Sequence, residues 1–505
     1  MIAEELEKHG GLLSTELKDF VMKKVGVSQD TARKRISRAL LSDSNICKLN
    51  GLNFKNNINF YYHRSNFGSP KYWDSLFHAL QSTNSIYSYA IAALRTHNGL
   101  IPSFLFPVKC GAPYRMAKNL SFEKVLNDLK LVNIIREDEI KNVGHCVSLM
   151  QKDSFVSESG IEIKGRLLAE KIYLGAISDW LRKLNIASYE SITNNRVSKV
   201  MKPVNGFYWD LTAPSFLSPL TQHQINGGKQ TGFVVCDVDL GVIINEISIT
   251  PFLNKVKKSQ NNKNQSKCLY ILAAEHFTDE AFQLARKEGI IPATPRNLFG
   301  KDIEEALKEV INVFSQLSFS ITQPEQIGEL FNKLQNIEGA VGNLRGSLFE
   351  FIVAEALRCI HPNVTLGQKF KAVDSKKKYD ADIVVTKPNE IFFIECKGGN
   401  PYQALEHAQV KHWLQDQVPN IFKSVSGNDD FNNNKTSLVF ELWSTQRLDE
   451  KSLKLISEAK TKINKKKYTI DIKVGCDVRK ELAYASNDKL LHLIDQHFLR
   501  HPFKK

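Results

Sequence analysis

The sequence predicts an α/β protein built from several domains. Its 505 residues give room for about three or four domains, since one domain takes about 100 to 200 residues. Hydrophobic residues make up 42% of the chain and charged residues 24%, as in ordinary globular proteins. From about residue 160 onward, helix-length segments alternate with short apolar runs, which is the pattern of α/β domains.

The composition favours a polyanionic partner. Lys and Arg number 68 against 54 Asp and Glu, so the formal net charge is +14. An excess of this size is typical of nucleic-acid binding, although scattered solubilising charge gives the same total. No apolar signal-peptide core and no uncharged apolar run of about 18 residues occurs, so we expect a cytoplasmic protein without a membrane partner.

The first segment, residues 1–65, predicts two helices joined by a tight turn. STELKDFVMKKVG stops at Gly26, and Ser28 stands at the N-cap position of QDTARKRISRALL. In this second helix Ala32, Ile36 and Leu40 recur at helical spacing and define the buried face. The exposed face then carries four polar or basic residues, which are the candidate DNA contacts: Gln29, Arg33, Lys34 and Ser37.

Two extended segments follow, ICKLNGLNF and NINFYYHR, and they predict a β-hairpin wing. Residues 1–65 therefore resemble a winged helix-turn-helix domain, and the resemblance implies that the second helix enters the major groove of duplex DNA. A winged helix that contacts only protein is the alternative. A second domain of this kind is predicted over residues 66–160, from SIYSYAIAALRTHNG and SFEKVLNDLKLVN.

The rest of the chain divides into an α/β domain over 161–310, a helical linker over 311–340 and a last domain over 341–505. FVVCDVDLG and CLYILAAE are apolar runs of strand length in the first of these domains. KDIEEALKEVINVF and QIGELFNKLQNI predict the linker helices.

Candidate catalytic residues gather between 346 and 409. Glu350 lies early in the helix GSLFEFIVAEALRCI, and Asp382 lies in the strand DADIVV. In IFFIECKG, period-2 alternation puts Glu395 and Lys397 on one face, and the hairpin brings Asp382 opposite them. Two carboxylates and a backbone carbonyl suit Mg²⁺, and an ammonium can position water and neutralise a phosphate. Gln409, one helix later, is predicted to hold the lysine or touch the DNA backbone.

This stretch resembles the PD-(D/E)XK phosphodiesterase superfamily, which has the restriction-endonuclease-like fold. The resemblance covers about residues 340–480 and implies that Asp382 and Glu395 bind Mg²⁺, with Mn²⁺ as a substitute, and that Lys397 and the helical Glu350 are catalytic. Asp380 and Ala381 precede the aspartate in place of proline, so Asp380 is a possible substitute ligand. Glu-x-Lys occurs elsewhere in the chain, for example at Glu162 and Lys164, and only the surrounding strand and helix single out the copy at 395.

The middle domain is predicted to be a degenerate copy of the last one. KGRLLAEKIYLGAISDWL would correspond to the Glu350 helix through Glu170, NGFYWDLTAP to the Asp382 strand through Asp210, and FVVCDVDLG to the Glu395 strand. The lysine position then holds Asp239, so the ammonium is expected to be absent and the copy inactive. An unrelated α/β domain is the alternative.

The predicted fold is thus an N-terminal helical winged-helix region followed by α/β domains, of which the last is a restriction-endonuclease-like mixed sheet flanked by helices. The predicted function is a Mg²⁺-dependent endodeoxyribonuclease acting on double-stranded DNA in restriction, anti-phage defence or a mobile-element system. The alternatives are a DNA-binding regulator or scaffold with a nuclease-like core, and an RNA or single-strand nuclease. Expected partners are a second copy of the chain and an ATPase or other defence subunit. Another subunit would have to hydrolyse ATP, because no GxxxxGK[ST] motif occurs in this sequence.

Overall fold

The computed structural model groups the chain into two compact units. The first comprises Met1–Asp138, His145–Ser157 and Leu181–Thr294, and the second Glu139–Gly144, Glu158–Trp180 and Pro295–Lys505. These units cut across the bounds at 161 and 310 that the sequence suggests. The described residues are 1–52, 54, 58–140, 143–150, 160–187, 191–196, 198, 200–215, 217–223, 229–261, 265–316, 340–371, 377–426, 436–463, 468–486 and 488–499.

The first unit begins with three helices and a three-stranded sheet. The elements are α1 (Ile2–His9), β1 (Leu12–Leu13), α2 (Ser14–Val25), α3 (Gln29–Ser42), β2 (Ile46–Lys48) and β3 (Phe60–His63), and the sheet order is β1-β3-β2. Ser28 Oγ accepts a hydrogen bond from the Thr31 N–H at 3.4 Å and caps α3. Ala32 and Ile36 are buried in the core of this domain, which confirms the two helices and the buried face predicted from the sequence.

A second helical region with a small sheet follows. Its elements are α4 (Pro70–Ser82), α5 (Ile86–Thr96), β4 (Leu100–Pro102), α6 (Phe106–Lys109), α7 (Phe122–Leu131), β5 (Ile135–Ile140) and β6 (Gly144–Leu149), with the sheet order β4-β6-β5. The two predicted helices of this region are confirmed as α5 and α7.

The middle sheet has five strands and completes the first unit. Its strands are β7 (Thr193–Asn194), β8 (Leu211–Pro214), β11 (Phe233–Ile244), β12 (Cys268–Phe277) and β13 (Ile290–Ala293), and β9 (Gln222–His223) pairs separately with β10 (Lys229–Gln230). Helix α9 (Thr250–Gln260) joins β11 to β12, and α10 (Asp279–Lys287) joins β12 to β13. Trp209, Phe252 and Tyr270 pack together in the core of this sheet.

The second unit contains the other five-stranded sheet. Its strands are β14 (Val364–Lys371), β15 (Lys378–Thr386), β16 (Glu390–Lys397), β17 (Ser437–Ser444) and β18 (Thr469–Val474). Its helices are α8 (Gly160–Lys183), α11 (Pro295–Phe299), α12 (Lys301–Gln316), α13 (Ala340–Ile360), α14 (His407–His412), α15 (Val418–Ser426), α16 (Glu450–Lys462), α17 (Cys476–Ala483) and α18 (Asp488–Ile494), with π-helical segments at Trp413–Gln417 and Asp495–Leu499. Helix α8 belongs to this unit as far as Trp180.

The two five-stranded sheets have the same topology. In each, the first three strands form an antiparallel meander, and the fourth and fifth strands run parallel to the third. Helices connect strands three, four and five in both. The agreement of strand order and direction supports the prediction of an internal duplication.

The α/β class predicted from the sequence is confirmed by these mixed sheets and helices. The predicted linker helix QIGELFNKLQNI lies outside the described residues. The helix of Glu170, predicted to correspond to that of Glu350, belongs to the second unit, whereas Asp210 lies in the first, and the correspondence of the two helices stays a prediction. Among the described residues, no helix is both long and apolar enough to cross a membrane.

Candidate active site

The carboxyl end of β16 brings three of the predicted site residues together. Ile383 of β15 pairs with Ile394 of β16, so Asp382 comes opposite Glu395. One carboxylate oxygen of Asp382 accepts a hydrogen bond from the backbone N–H of Cys396 at 2.7 Å. Lys397 Nζ lies 2.5 Å from Glu395 Oε1, as expected for side chains on the same face of a strand. The hairpin and the period-2 alternation are therefore confirmed at this point.

The site carries an excess of negative charge. Burial raises the pKa of Asp382 well above its usual range, and the carboxylates of Glu395 and Glu350 raise it further. Burial also raises the pKa of Glu395, although Lys397 opposes the shift. Burial lowers the pKa of Lys397, but Glu395 and Asp382 outweigh it, and the net shift is upward. The charged form of Asp382 thus lacks a partner of opposite charge strong enough to offset its desolvation.

A glutamine that no local sequence pattern indicates holds Glu395 in position. Gln417 Nε2 donates to Glu395 Oε2 and to the backbone carbonyl of Asp380, both at 2.6 Å. Gln417 ends the π-helical segment Trp413–Gln417 and is buried. The predicted glutamine, Gln409, lies on α14 with its side chain exposed, and the structure brings Gln417 to the site instead.

Glu350 has a lysine partner from a distant part of the sequence. Lys164 Nζ of α8 lies 2.9 Å from Glu350 Oε2 of α13, within the second unit. Burial lowers the pKa of Lys164, but Glu350 and Asp382 outweigh that effect and shift it upward. Lys164 belongs to one of the Glu-x-Lys copies that sequence context gave no reason to select. The site therefore has two ammonium groups against three carboxylates: Lys164 and Lys397 against Glu350, Asp382 and Glu395.

Gly398 lets helix α13 approach the end of β16. A Cβ atom at this position would lie 2.7 Å from the carbonyl oxygen of Arg345 and would also collide with Phe349. Only glycine fits a contact of this kind, since real Cβ atoms do not approach a backbone oxygen so closely. The glycine after the Glu-x-Lys motif thus brings Glu350, the next residue of α13, close to the strand end.

The donor set fits a hard divalent cation bound by few protein ligands. Within the described residues, no cluster of three or more His, Cys, Asp or Glu side chains has metal-binding geometry. Mg²⁺ is usually held by one or two carboxylates, with water completing its shell. Asp382 and Glu395 match that pattern, and burial together with the nearby carboxylates raises the pKa of Asp382, an effect that a bound cation would offset.

The middle sheet repeats this arrangement in the first unit. Leu211 pairs with Cys236, so Asp210 comes opposite Asp237, as Asp382 does with Glu395. Asp210 Oδ2 accepts a hydrogen bond from the Val238 N–H at 2.9 Å, the counterpart of the bond from Cys396 to Asp382. The aligned positions are Asp210 with Asp382, Asp237 with Glu395, Val238 with Cys396, and Asp239 with Lys397.

The expected absence of an ammonium from the middle copy is wrong. Lys255 of α9 lies with its Nζ 2.5 Å from Asp237 Oδ2, just as Lys397 lies beside Glu395. The lysine comes from the helix after the third strand instead of from the strand itself. Strand alternation could not reveal it, because the contact depends on how α9 packs on the sheet.

All four candidate DNA contacts of the N-terminal domain are exposed on α3: Gln29, Arg33, Lys34 and Ser37. Arg33 and Ser37 line a groove of about 390 Å³ together with Lys18 of α2 and Asn59 before β3. The Arg33 guanidinium lies 3.7 Å from Asp30 in an exposed ion pair, which leaves it available to other anions. The polar face of α3 therefore remains the candidate nucleic-acid surface.

Comparison with known proteins adds no assignment to this geometry. The chain matches no family model, and no curated protein matches its sequence. The functional interpretation therefore depends on the residues themselves.

Proposed function

We propose that this protein is a Mg²⁺-dependent endonuclease that hydrolyses phosphodiester bonds of double-stranded DNA. The observation that carries the proposal is the convergence of Asp382, Glu395 and Lys397 at the end of β16. Two carboxylates beside an ammonium on neighbouring strands supply both a cation site and a positive group for a phosphate. The order and direction of the five strands agree with the restriction-endonuclease-like fold that the sequence resembles.

Each residue of the site has a proposed task. Asp382 and Glu395 would hold Mg²⁺ with the carbonyl of Cys396, and Gln417 fixes the carboxylate of Glu395 through its hydrogen bond. When bound, Mg²⁺ would supply Lewis-acid activation of water and of the phosphate. Lys397 would orient the attacking water and neutralise charge on the phosphate.

Lys164 adds positive charge on the side of Glu350. Its ammonium pairs with Glu350 at 2.9 Å and is close enough to Asp382 for the carboxylate to raise its pKa. A lysine in this position would attract the DNA backbone to the site. The defence or mobile-element setting, a homodimer and an ATPase partner are part of the same proposal and rest on the sequence alone.

Substrate class is tested by incubating the protein with plasmid, linear duplex, single-stranded DNA and RNA in Mg²⁺. The proposal expects cleavage of both duplex forms. Cleavage confined to RNA or single strands would favour the single-strand nuclease, and binding to duplex without cleavage of any substrate would favour a DNA-binding scaffold.

Helix α3 of the N-terminal domain gives a prediction about DNA affinity. Replacing Arg33 and Lys34 together by alanine should weaken duplex binding and lower its salt slope by about 1 to 2, roughly one unit for each phosphate that the variant no longer neutralises. Binding is measured by fluorescence anisotropy at several salt concentrations. Lys23→Ala with Lys24→Ala, two exposed lysines at the end of α2, is the matched control. An equal slope in the α3 variant and the wild type would indicate that this domain contacts protein instead.

The raised pKa of Asp382 gives a prediction about pH. The protonated carboxyl group cannot bind a cation, so the affinity for Mn²⁺ should increase as pH rises through this pKa and level off above it. One released proton corresponds to an increase of up to about tenfold for each pH unit. Mn²⁺ titrations between pH 5 and about 9 measure the effect. Asp382→Asn should bind weakly at every pH, and a wild-type affinity that does not change with pH would contradict the prediction.

A further inference from the structure

The carboxylates of the middle sheet are neutralised by side-chain cations of the same unit. Three carboxylates face three basic side chains: Asp210, Asp237 and Asp239 against Lys109, Arg196 and Lys255. His97 Nε2 also lies 3.1 Å from Asp239 Oδ1. The formal charges of these three carboxylates and of the two lysines and the arginine balance, whereas the site at β16 has one carboxylate in excess.

Lys109 and Arg196 both bind the groups that would hold a cation. Lys109 Nζ lies 3.0 Å from Asp210 Oδ2, 2.7 Å from Asp239 Oδ1 and 2.7 Å from the carbonyl oxygen of Val238. Arg196 donates to both oxygens of Asp210, at 2.7 and 2.9 Å, and to the same Val238 carbonyl at 2.9 Å. Asp210 and this carbonyl are the counterparts of Asp382 and the Cys396 carbonyl, the proposed ligands at β16.

We propose that the ammonium of Lys109 and the guanidinium of Arg196 together replace a divalent cation in the middle domain. Their two positive charges equal the charge of Mg²⁺, and their donors occupy the carboxylate and carbonyl oxygens that a metal would need. The middle copy is therefore a nuclease-like site that is closed to metal by its own side chains.

The ion pairs of the middle sheet are more deeply buried than Lys397 of the site at β16. The side chains of Lys109 and Arg196 are each only 5% exposed, and that of Asp210 is fully buried, whereas the side chain of Lys397 is 31% exposed. The cavity beside Lys109 and Asp239 has a volume of about 20 Å³, enough for about one water and too small for a phosphodiester. Within the described part of the chain, the space beside Lys109 is therefore too small to admit a phosphodiester.

The pKa values of the corresponding aspartates also differ between the two sites. Burial would raise the pKa of Asp210 and Asp239, but Arg196 and Lys109 outweigh it at Asp210, and Lys109 and His97 outweigh it at Asp239, so both pKa values are lowered below the usual range. The pKa of Asp382, by contrast, is raised. Asp210 and Asp239 thus have enough nearby positive charge to offset their burial, whereas Asp382 does not; burial raises the pKa of Asp237 and of its counterpart Glu395 alike.

The test removes both cations and measures the binding of Mn²⁺. In the full-length chain with Asp382→Asn and Glu395→Gln, which weaken the site at β16, Lys109→Ala and Arg196→Ala are added together. Isothermal titration with MnCl₂ should detect one more binding site than in the parent, and Asp210→Asn should abolish that added site. No increase in stoichiometry would overturn the proposal. The added Mn²⁺ stoichiometry does not depend on DNA cleavage, so it is measured separately from the proposed function. The proposed function itself fails if Asp382→Asn leaves metal binding at β16 unchanged.

A second measurement applies if the variant that lacks Lys109 and Arg196 does not fold. The Lys109 and Arg196 variant leaves Asp210 and Asp239 buried without these two cations and should unfold at a lower temperature than its parent, and Mn²⁺ should raise that temperature in the variant alone. Lys124→Ala is the control, since it removes the ammonium that pairs with the buried Asp128 outside the middle sheet. A variant that stays unfolded in Mn²⁺, or an equal rescue of Lys124→Ala, would overturn the proposal.

Discussion

Replacing Glu395 or Lys397 by alanine is expected to abolish DNA cleavage. Glu395 is a proposed cation ligand held by Gln417, and Lys397 is the ammonium beside it. Groups of this kind act on the metal, the water and the developing charge, so the rate should fall by at least about 10²- to 10³-fold. DNA affinity should stay within a few fold, because general attraction to phosphates depends on other basic residues. Single-turnover cleavage and anisotropy measure the two quantities separately.

Glu441→Ala is the matched control for Glu395→Ala. Glu441 is a buried carboxylate on the neighbouring strand β17 that pairs with Lys473 and Trp443 outside the site. This variant should be less stable than the wild type, yet its folded fraction should cleave at the normal rate. Asp382→Asn should behave as Glu395→Ala does, and Glu350→Gln should retain residual turnover if that carboxylate acts through water. Full activity in Glu395→Ala or Lys397→Ala would refute the assignment of the site.

Replacing Asp210 by asparagine is expected to destabilise the first unit strongly. The change leaves Lys109 and Arg196 buried without their shared carboxylate. Removing one partner of a buried ion pair typically costs about 3 to 5 kcal/mol of the free energy of unfolding. Chemical denaturation followed by fluorescence measures the loss.

Asp471→Asn is the control for the Asp210 substitution. Asp471 pairs with Lys460 at the surface, where both side chains are about half exposed, so its loss should cost at most about 1 kcal/mol. Asp237→Asn with Asp239→Asn should also destabilise the fold while leaving the cleavage rate of the folded protein nearly intact. A loss of cleavage in that folded double variant would mean that the chain has a second active site in the middle domain.

The sequence predicts the part of the site that follows from local periodicity. Alternation along one strand relates Glu395 to Lys397, and the adjacent hairpin strand adds Asp382, so three residues could be found without a structure. Gln417 could not be found in this way, because the loop after β16 and the π-helical segment change the phase of the helix. The prediction of Gln409 assumed a regular helix that begins directly after the strand.

Lys164 and Lys109 illustrate the limit of sequence periodicity. Lys164 is 186 residues from Glu350 in the chain, and Lys109 is 101 residues from Asp210. Both contacts depend on how separate elements pack, and neither lysine is part of a local pattern that distinguishes it from other lysines. The strands of the middle sheet could be predicted from the sequence, whereas the origin of the cations beside them could not.

Cleavage of supercoiled plasmid in Mg²⁺, with EDTA and with Mg²⁺ restored, tests the proposed nuclease activity most directly when wild type and Lys397→Ala are compared side by side. The wild type should nick or linearise the plasmid in Mg²⁺, stop in EDTA and recover when Mg²⁺ is restored, while Lys397→Ala binds the plasmid without cutting it. Cleavage that persists in EDTA, or equal cleavage by Lys397→Ala, would contradict a metal-dependent site at the end of β16.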